Sequence, residues 1–119
     1  MRMDIHQETE RGDILTLEED LTVRWRGRVV TVPAGFESDG ASVPRLLWSS
    51  ISPRLDPRTL RGAVVHDYLY RTAPENWTRK EADTLFYEFI REDGLSWWAA
   101  KKAFWGVRLF GGKSWRGEA

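Results

Sequence analysis

A chain of 119 residues without a single cysteine has the size of one domain with its own core, and it offers no disulfide framework, thiolate metal site or cysteine nucleophile. Eighteen basic and eighteen acidic residues cancel, so no global field gathers nucleic acid, although residues 1–52 carry 6 basic against 9 acidic and residues 53–119 carry 12 against 9. The polar N-terminus and the lack of an apolar run near ~20 residues point away from a signal peptide and a membrane-spanning helix, and toward the cytosol or an assembled particle.

Residues 1–12 read as a loose end, and the pattern then turns to strand. In "ILTLEEDLTVRW" Leu15 and Leu17 alternate with Ile14 and Thr16, and Leu21, Val23 and Trp25 alternate with Thr22 and Arg24, with Glu18, Glu19 and Asp20 as a charged turn. Gly27 is a turn residue, and Val29–Val32 is a third strand that Pro33 ends. These segments predict a three-stranded antiparallel meander. The stretch "GFESDGASVPR" (35–45) follows, a strand-to-helix connector in which Gly35 and Gly40 permit unusual dihedrals, Ser42 is placed to N-cap and Pro44 suits a first helical turn. A short helical turn is expected in "VPRLLWSSI".

The period then changes to that of a helix. Asp56 and Pro57 form a start signal for "DPRTLRGAVVHDYLYR", and a Thr78/Glu81 capping box opens "TRKEADTLFYEFIREDG", which stops at Gly94. Ser96 starts "SWWAAKKAFWGVRLFGG", which Gly111 and Gly112 end; residues 113–119 read as loose. Strands followed by helices predict an α+β fold, with three main helices on a small antiparallel sheet, as one domain over 1–119.

Two apolar stripes on the first helix, one with Leu60, Ala63, Val64 and Tyr68 and one with Gly62, Val65, His66 and Leu69, place that helix centrally and point His66 inward. A buried imidazole needs partners, and Asp39 in the connector suits that role. Asp83 lies at the flank of its helix's stripe of Ala82, Leu85, Phe86, Phe89 and Ile90. Asp39, His66, Asp67 and Asp83 are therefore both candidate ligands of a divalent metal and candidate acid/base groups, with Ser42 a candidate nucleophile. A satisfied buried network is the preferred reading of the same residues, with no cofactor needed. Tyr70, one turn after His66, is read as core.

In the last helix Trp97, Ala100, Phe104 and Val107, with Ala103 beside them, predict the core stripe. Trp98, Trp105 and Leu109 form a second stripe on the other side, flanked by Lys101, Lys102 and Arg108. Aromatic residues beside Arg are what protein interfaces use, so Trp98, Lys102, Trp105, Arg108 and Leu109 are the candidate partner-binding residues; a membrane-surface contact and a place in a longer core are the alternatives. Five cations over residues 96–119 are a thin footprint for nucleic acid.

The combination of "VPAGFESDGASVPRLLW", "AVVHDYLY", "EADTLFYEFI" and "AFWGVRLFGGKSW" resembles a bacteriophage and prophage family of unknown function, DUF1353, over about Leu15 to Trp115. Gly40 stands where the family form has an apolar residue. The resemblance implies a phage or prophage origin, a place in host cytoplasm or virion, and signature positions at Asp39, Ser42, His66, Asp67 and Asp83; it brings no activity with it. The expected function is that of a virion component of tail or neck, or of an assembly accessory, that docks on phage structural proteins or on itself. A small hydrolase using the His/Asp cluster is the alternative.

Overall fold

The computed structural model describes residues 3–8, 12–38, 57–112 and 115. The connector beyond Ser38, with Asp39, Ser42 and the helical turn expected in "VPRLLWSSI", lies outside them. The fold is α+β, and its chain forms two compact units, Met1–Asp39 and Gly40–Ala119.

The first unit holds strands β1 (Met3–Glu8), β2 (Gly12–Leu17), β3 (Leu21–Trp25), β4 (Arg28–Val32) and β5 (Glu37–Ser38). Residues 3–8 of the segment read as a loose end thus run as strand. β3 and β4 are a hairpin with Trp25 opposite Arg28, turned by Arg26 and Gly27 at φ 52° and 79°. Two positive φ values in a two-residue loop match the right-handed twist of the flanking strands, and Gly27 takes its value without steric cost. Alternation along β3 buries Leu21, Val23 and Trp25 and exposes Thr22 and Arg24.

The three-stranded meander does not form. β2 pairs with β1 and β5 in the order β1-β2-β5, while β3 and β4 make a separate two-stranded sheet. The reason lies in the charged turn after β2. Asp20 does not close a tight hairpin there; its Oδ1 accepts the Ala34 amide at 2.8 Å. Leu17 exchanges backbone bonds with Gly35 and Phe36 at 2.8 and 3.1 Å, so the returning chain beyond β4, and not β3, occupies the edge of β2.

The second unit holds helices α1 (Pro57–Thr72), α2 (Arg79–Glu92) and α3 (Trp97–Phe110). The capping box is present in full: Glu81 N–H donates to Thr78 Oγ1 at 3.1 Å and Thr78 N–H to Glu81 Oε1 at 2.9 Å, which satisfies two of the free donors of a helix start. Ser96 caps α3 through the Ala99 amide. α2 packs against both other helices, around Ala63, Phe86, Ile90, Leu95, Ala100, Ala103 and Val107. α1 and α2 approach closely at Gly62, where a Cβ would meet Ile90 Cγ2 at 3.0 Å.

Candidate functional site

The centre of the helical unit is a carboxylate. Asp83 on α2 is fully buried, and three side chains from the other two helices converge on it. His66 Nε2 lies 2.7 Å from Asp83 Oδ1, and Tyr70 Oη donates to the same oxygen at 2.6 Å. Arg108 Nη1, from the last turn of α3, donates to Oδ2 at 2.8 Å. A carboxylate can only accept, so the proton of this His66 contact sits on Nε2. Helical spacing explains the convergence: His66 and Tyr70 are one turn apart on α1, so both reach one oxygen.

Packing surrounds these groups as well. The His66 ring lies 4.3 Å from the Tyr70 ring and 4.9 Å from that of Phe86, centroid to centroid. Trp115 is buried and stands edge-on to Tyr70 at 5.2 Å, which ties part of the segment read as a loose end into the core. Gly111 leaves the space Tyr70 needs, since a Cβ there would lie 3.0 Å from the phenol oxygen. Arg79, the first residue of α2, donates through Nη2 to the Arg108 carbonyl at 2.7 Å and so braces the end of α3. Its buried Nη1 has no hydrogen-bond partner among the described residues.

The electrostatics keep the proton where the geometry puts it. Burial acts to raise the Asp83 pKa, but the hydrogen bond and charge of His66 and the bonds from Tyr70 and Arg108 outweigh it, and the carboxyl is held below its ordinary value. Burial, and next to it the Asp83 charge, push the Tyr70 phenol far above its ordinary range, opposed in part by Arg79 and Arg108. The result is an ionised acceptor surrounded by bound donors. Such a cluster pins three helices through one carboxylate.

Of the candidate site residues, the structure thus brings His66 and Asp83 together, while Asp39 and Ser42 lie outside the described residues. Asp67, buried beside His66, faces Arg71 Nη2 at 3.4 Å. Among the described residues no group of three or more His, Cys, Asp or Glu side chains is placed to hold a metal ion. Tyr70 is a core residue, as read, but also a donor to the hub. Arg108, expected on the docking face, turns inward instead, because a fully buried carboxylate on the neighbouring helix is a stronger attractor than water at the rim. The signal was available: a buried Asp83 demands a cation, and Arg108 is the α3 cation placed at the edge of the core stripe.

α3 has a second correction. Its buried face is Ala100, Ala103, Gly106 and Val107, and Trp97, expected in the core, is 53% exposed. The small residues of that face let α2 come close, which leaves no room for an indole between the helices. Trp98, Trp105 and Leu109 are 66%, 56% and 70% exposed, and Phe110 joins them at 57%.

The architecture is that of a small α+β protein whose helical unit is organised around one buried, ion-paired aspartate. The family model described as "Protein of unknown function (DUF1353)" matches residues 15–107, and the chain belongs to that family. Two curated relatives come from Sinorhizobium fredii (strain NBRC 101917 / NGR234), both described as uncharacterized. The protein y4jT is 35% identical over 80 residues, 67% of this chain and 23% of its own length. The protein y4iH is 33% identical over 75 residues, 63% of this chain and 30% of its own. The matched stretch thus spans less than a third of either relative. No solved structure matches the chain. Among the described residues no helix is long and apolar enough to cross a membrane.

Proposed function

We propose that this DUF1353 chain is a phage or prophage accessory protein, a tail or neck component or an assembly factor, that acts by docking α3 on a protein partner. The observation that carries the docking reading is the exposure of Trp98, Trp105 and Leu109 on a helix whose other face is already buried. Leaving these apolar groups in water gains the monomer nothing, and covering each full side chain stabilises by roughly 1.5–3 kcal/mol. The phage setting comes from the family resemblance. In the two relatives the matched stretch is a minor part of a longer chain, which suits a module that works against other domains.

The test is a Trp98→Ala/Trp105→Ala double variant. It is expected to keep the circular dichroism and melting behaviour of the wild type and to lose capture of a defined virion protein from induced lysogen extracts. Equal capture of that protein by both forms refutes the reading.

One observation favours the hydrolase alternative: a histidine and an aspartate in hydrogen-bond contact at 2.7 Å. Both are fully buried and Asp83 accepts three side-chain hydrogen bonds, so turnover requires that pair to open. Calorimetric titration of Zn²⁺, Mn²⁺ and Mg²⁺ into wild type and Asp83→Asn decides on a metal-dependent form. Saturable binding near one ion per chain, lost in the variant, supports it, and no binding removes it.

A further inference from the structure

The same face also carries information about what covers it. Trp98, Lys102, Trp105 and Leu109 succeed one another in steps of four, three and four residues, the spacing of a seam that accepts a second helix at about 20°. The seam runs for about 16 Å, or three helical turns.

Its charge is one-sided. The α3 sequence WWAAKKAFWGVRLF contains no acidic residue, and Arg108 is already engaged by Asp83 at 2.8 Å. Lys101 lies over the Tyr87 and Trp97 rings at 4.9 and 5.9 Å. Lys102 is exposed and makes no ion pair, hydrogen bond or ring contact among the described residues. At about 100° per residue, Lys101 falls between Trp97 and Trp105, and Lys102 between Leu109 and Phe110. Lys101 therefore stands inside the exposed apolar arc and Lys102 at its edge, since the direction of Phe110 falls between the buried Gly106 and Ala103. A helix that lies on a bilayer keeps its cations at the margins of the apolar face, where they reach the headgroups. Antiparallel pairing with a second copy sets Lys102 near its own equivalent with no carboxylate on either helix. A partner that brings its own carboxylates to both positions satisfies the arc.

We infer that the occupant of the α3 seam is an acidic amphipathic helix of a protein partner, with apolar anchors between Trp98, Trp105 and Leu109 and carboxylates against Lys101 and Lys102. This rests on the docking reading. The aromatic side chains supply contact area, and the lysines select the charge of what binds.

The experiment is selection from a displayed library of three-turn amphipathic helices, with leucine fixed at the seam positions and the flanking positions randomised. The full chain, its Lys102→Glu variant and the Trp98→Ala/Trp105→Ala variant serve as baits. Wild type is expected to enrich Asp and Glu at the flanking positions, Lys102→Glu to enrich Lys and Arg there, and the tryptophan variant to enrich nothing. The acidic peptides should bind Lys102→Glu at least tenfold more weakly than wild type. Helices enriched by wild type without charge bias, and lost with the tryptophans, overturn the acidic partner and leave docking intact. No enrichment by any bait overturns both. Saturable binding to 1:1 phosphatidylcholine/phosphatidylglycerol vesicles, or a dimer in sedimentation, either one abolished in the tryptophan variant, assigns the face to a lipid surface or a second copy and overturns the inference.

Discussion

Replacing Asp83 with asparagine is the sharpest probe of the helical unit, because it changes one atom's chemistry at the point where three helices meet. The retained Oδ1 still accepts from His66 and Tyr70, at 2.7 and 2.6 Å, but these bonds fall from charge-assisted to neutral, a loss of roughly 0.5–1 kcal/mol each. The other side is worse. An amide N–H₂ now faces Arg108 Nη1, donor against donor, where an acceptor stood at 2.8 Å. Breaking a fully buried ion pair costs about 3–5 kcal/mol, but the Arg108 side chain is 27% exposed and recovers part of this from water, so about 1–2 kcal/mol is the appropriate share. The total is about 3 kcal/mol, a large part of the margin of a small domain, and should lower Tm by about 10 °C. Thermal and urea unfolding measure it. The double variant Asp83→Asn/Arg108→Gln should cost less than the sum of the two single changes by about 1 kcal/mol or more. A melt within about 2 °C of wild type, or strict additivity, refutes the hub.

Four further outcomes follow from the same geometry. The folded-state pKa of Asp83 lies below its ordinary value, so its contribution is complete above about pH 4 and is lost as pH falls through the folded value; wild type should lose stability in that window more steeply than Asp83→Asn. The Tyr70 pKa lies far above its ordinary value, so its contribution is complete below about pH 10 and falls as pH rises; the phenolate absorbance that distinguishes wild type from Tyr70→Phe should appear only on alkaline unfolding, and its appearance in the folded protein near pH 10 contradicts the buried bond. At Gly111 a Cβ would meet the Val107 carbonyl at 2.5 Å and the Tyr70 oxygen at 3.0 Å, so Gly111→Ala should destabilise by about 1–3 kcal/mol, seen as a lower urea midpoint. Gly62→Leu should cost a similar amount by forcing α1 away from Ile90 and Phe86, again read from the urea midpoint; an unchanged midpoint in either variant contradicts the packing described.

What the sequence made legible was whatever depends on near neighbours along the chain. The Thr78/Glu81 box, the Ser96 cap and the turn at Gly27 are decided within four residues, and each stands where local chemistry puts it. The inward turn of His66 and the burial of Asp83 were readable from helical periodicity. The pairing of β2 was not, because it depends on a bond between Asp20 and Ala34, 14 residues apart. Arg108 was misplaced for a related reason: periodicity locates its Cα at the margin of α3, but a long side chain at a margin has two possible environments, and the choice is made by Asp83, 25 positions away. Trp97 went the other way, since an apolar stripe does not say how wide the gap between two helices will be, and here alanines and a glycine set it.

These two misplacements share a functional consequence. Once Arg108 is drawn in to neutralise Asp83 and the narrow Ala100/Ala103/Val107 face excludes Trp97, α3 shows water a wider aromatic arc, with Lys101 and Lys102 as the charges not drawn to Asp83. The buried network and the exposed face are therefore one arrangement seen from two sides of α3. Arg79 strengthens the link, because its bond to the Arg108 carbonyl holds the end of α3 that carries Leu109 and Phe110. An Arg108→Gln change should accordingly disturb binding on the outer face without touching a residue of the seam, by letting the last turn of α3 fray. Unaltered helix binding by a folded Arg108→Gln variant separates the two sides and reduces the hub to a purely internal brace.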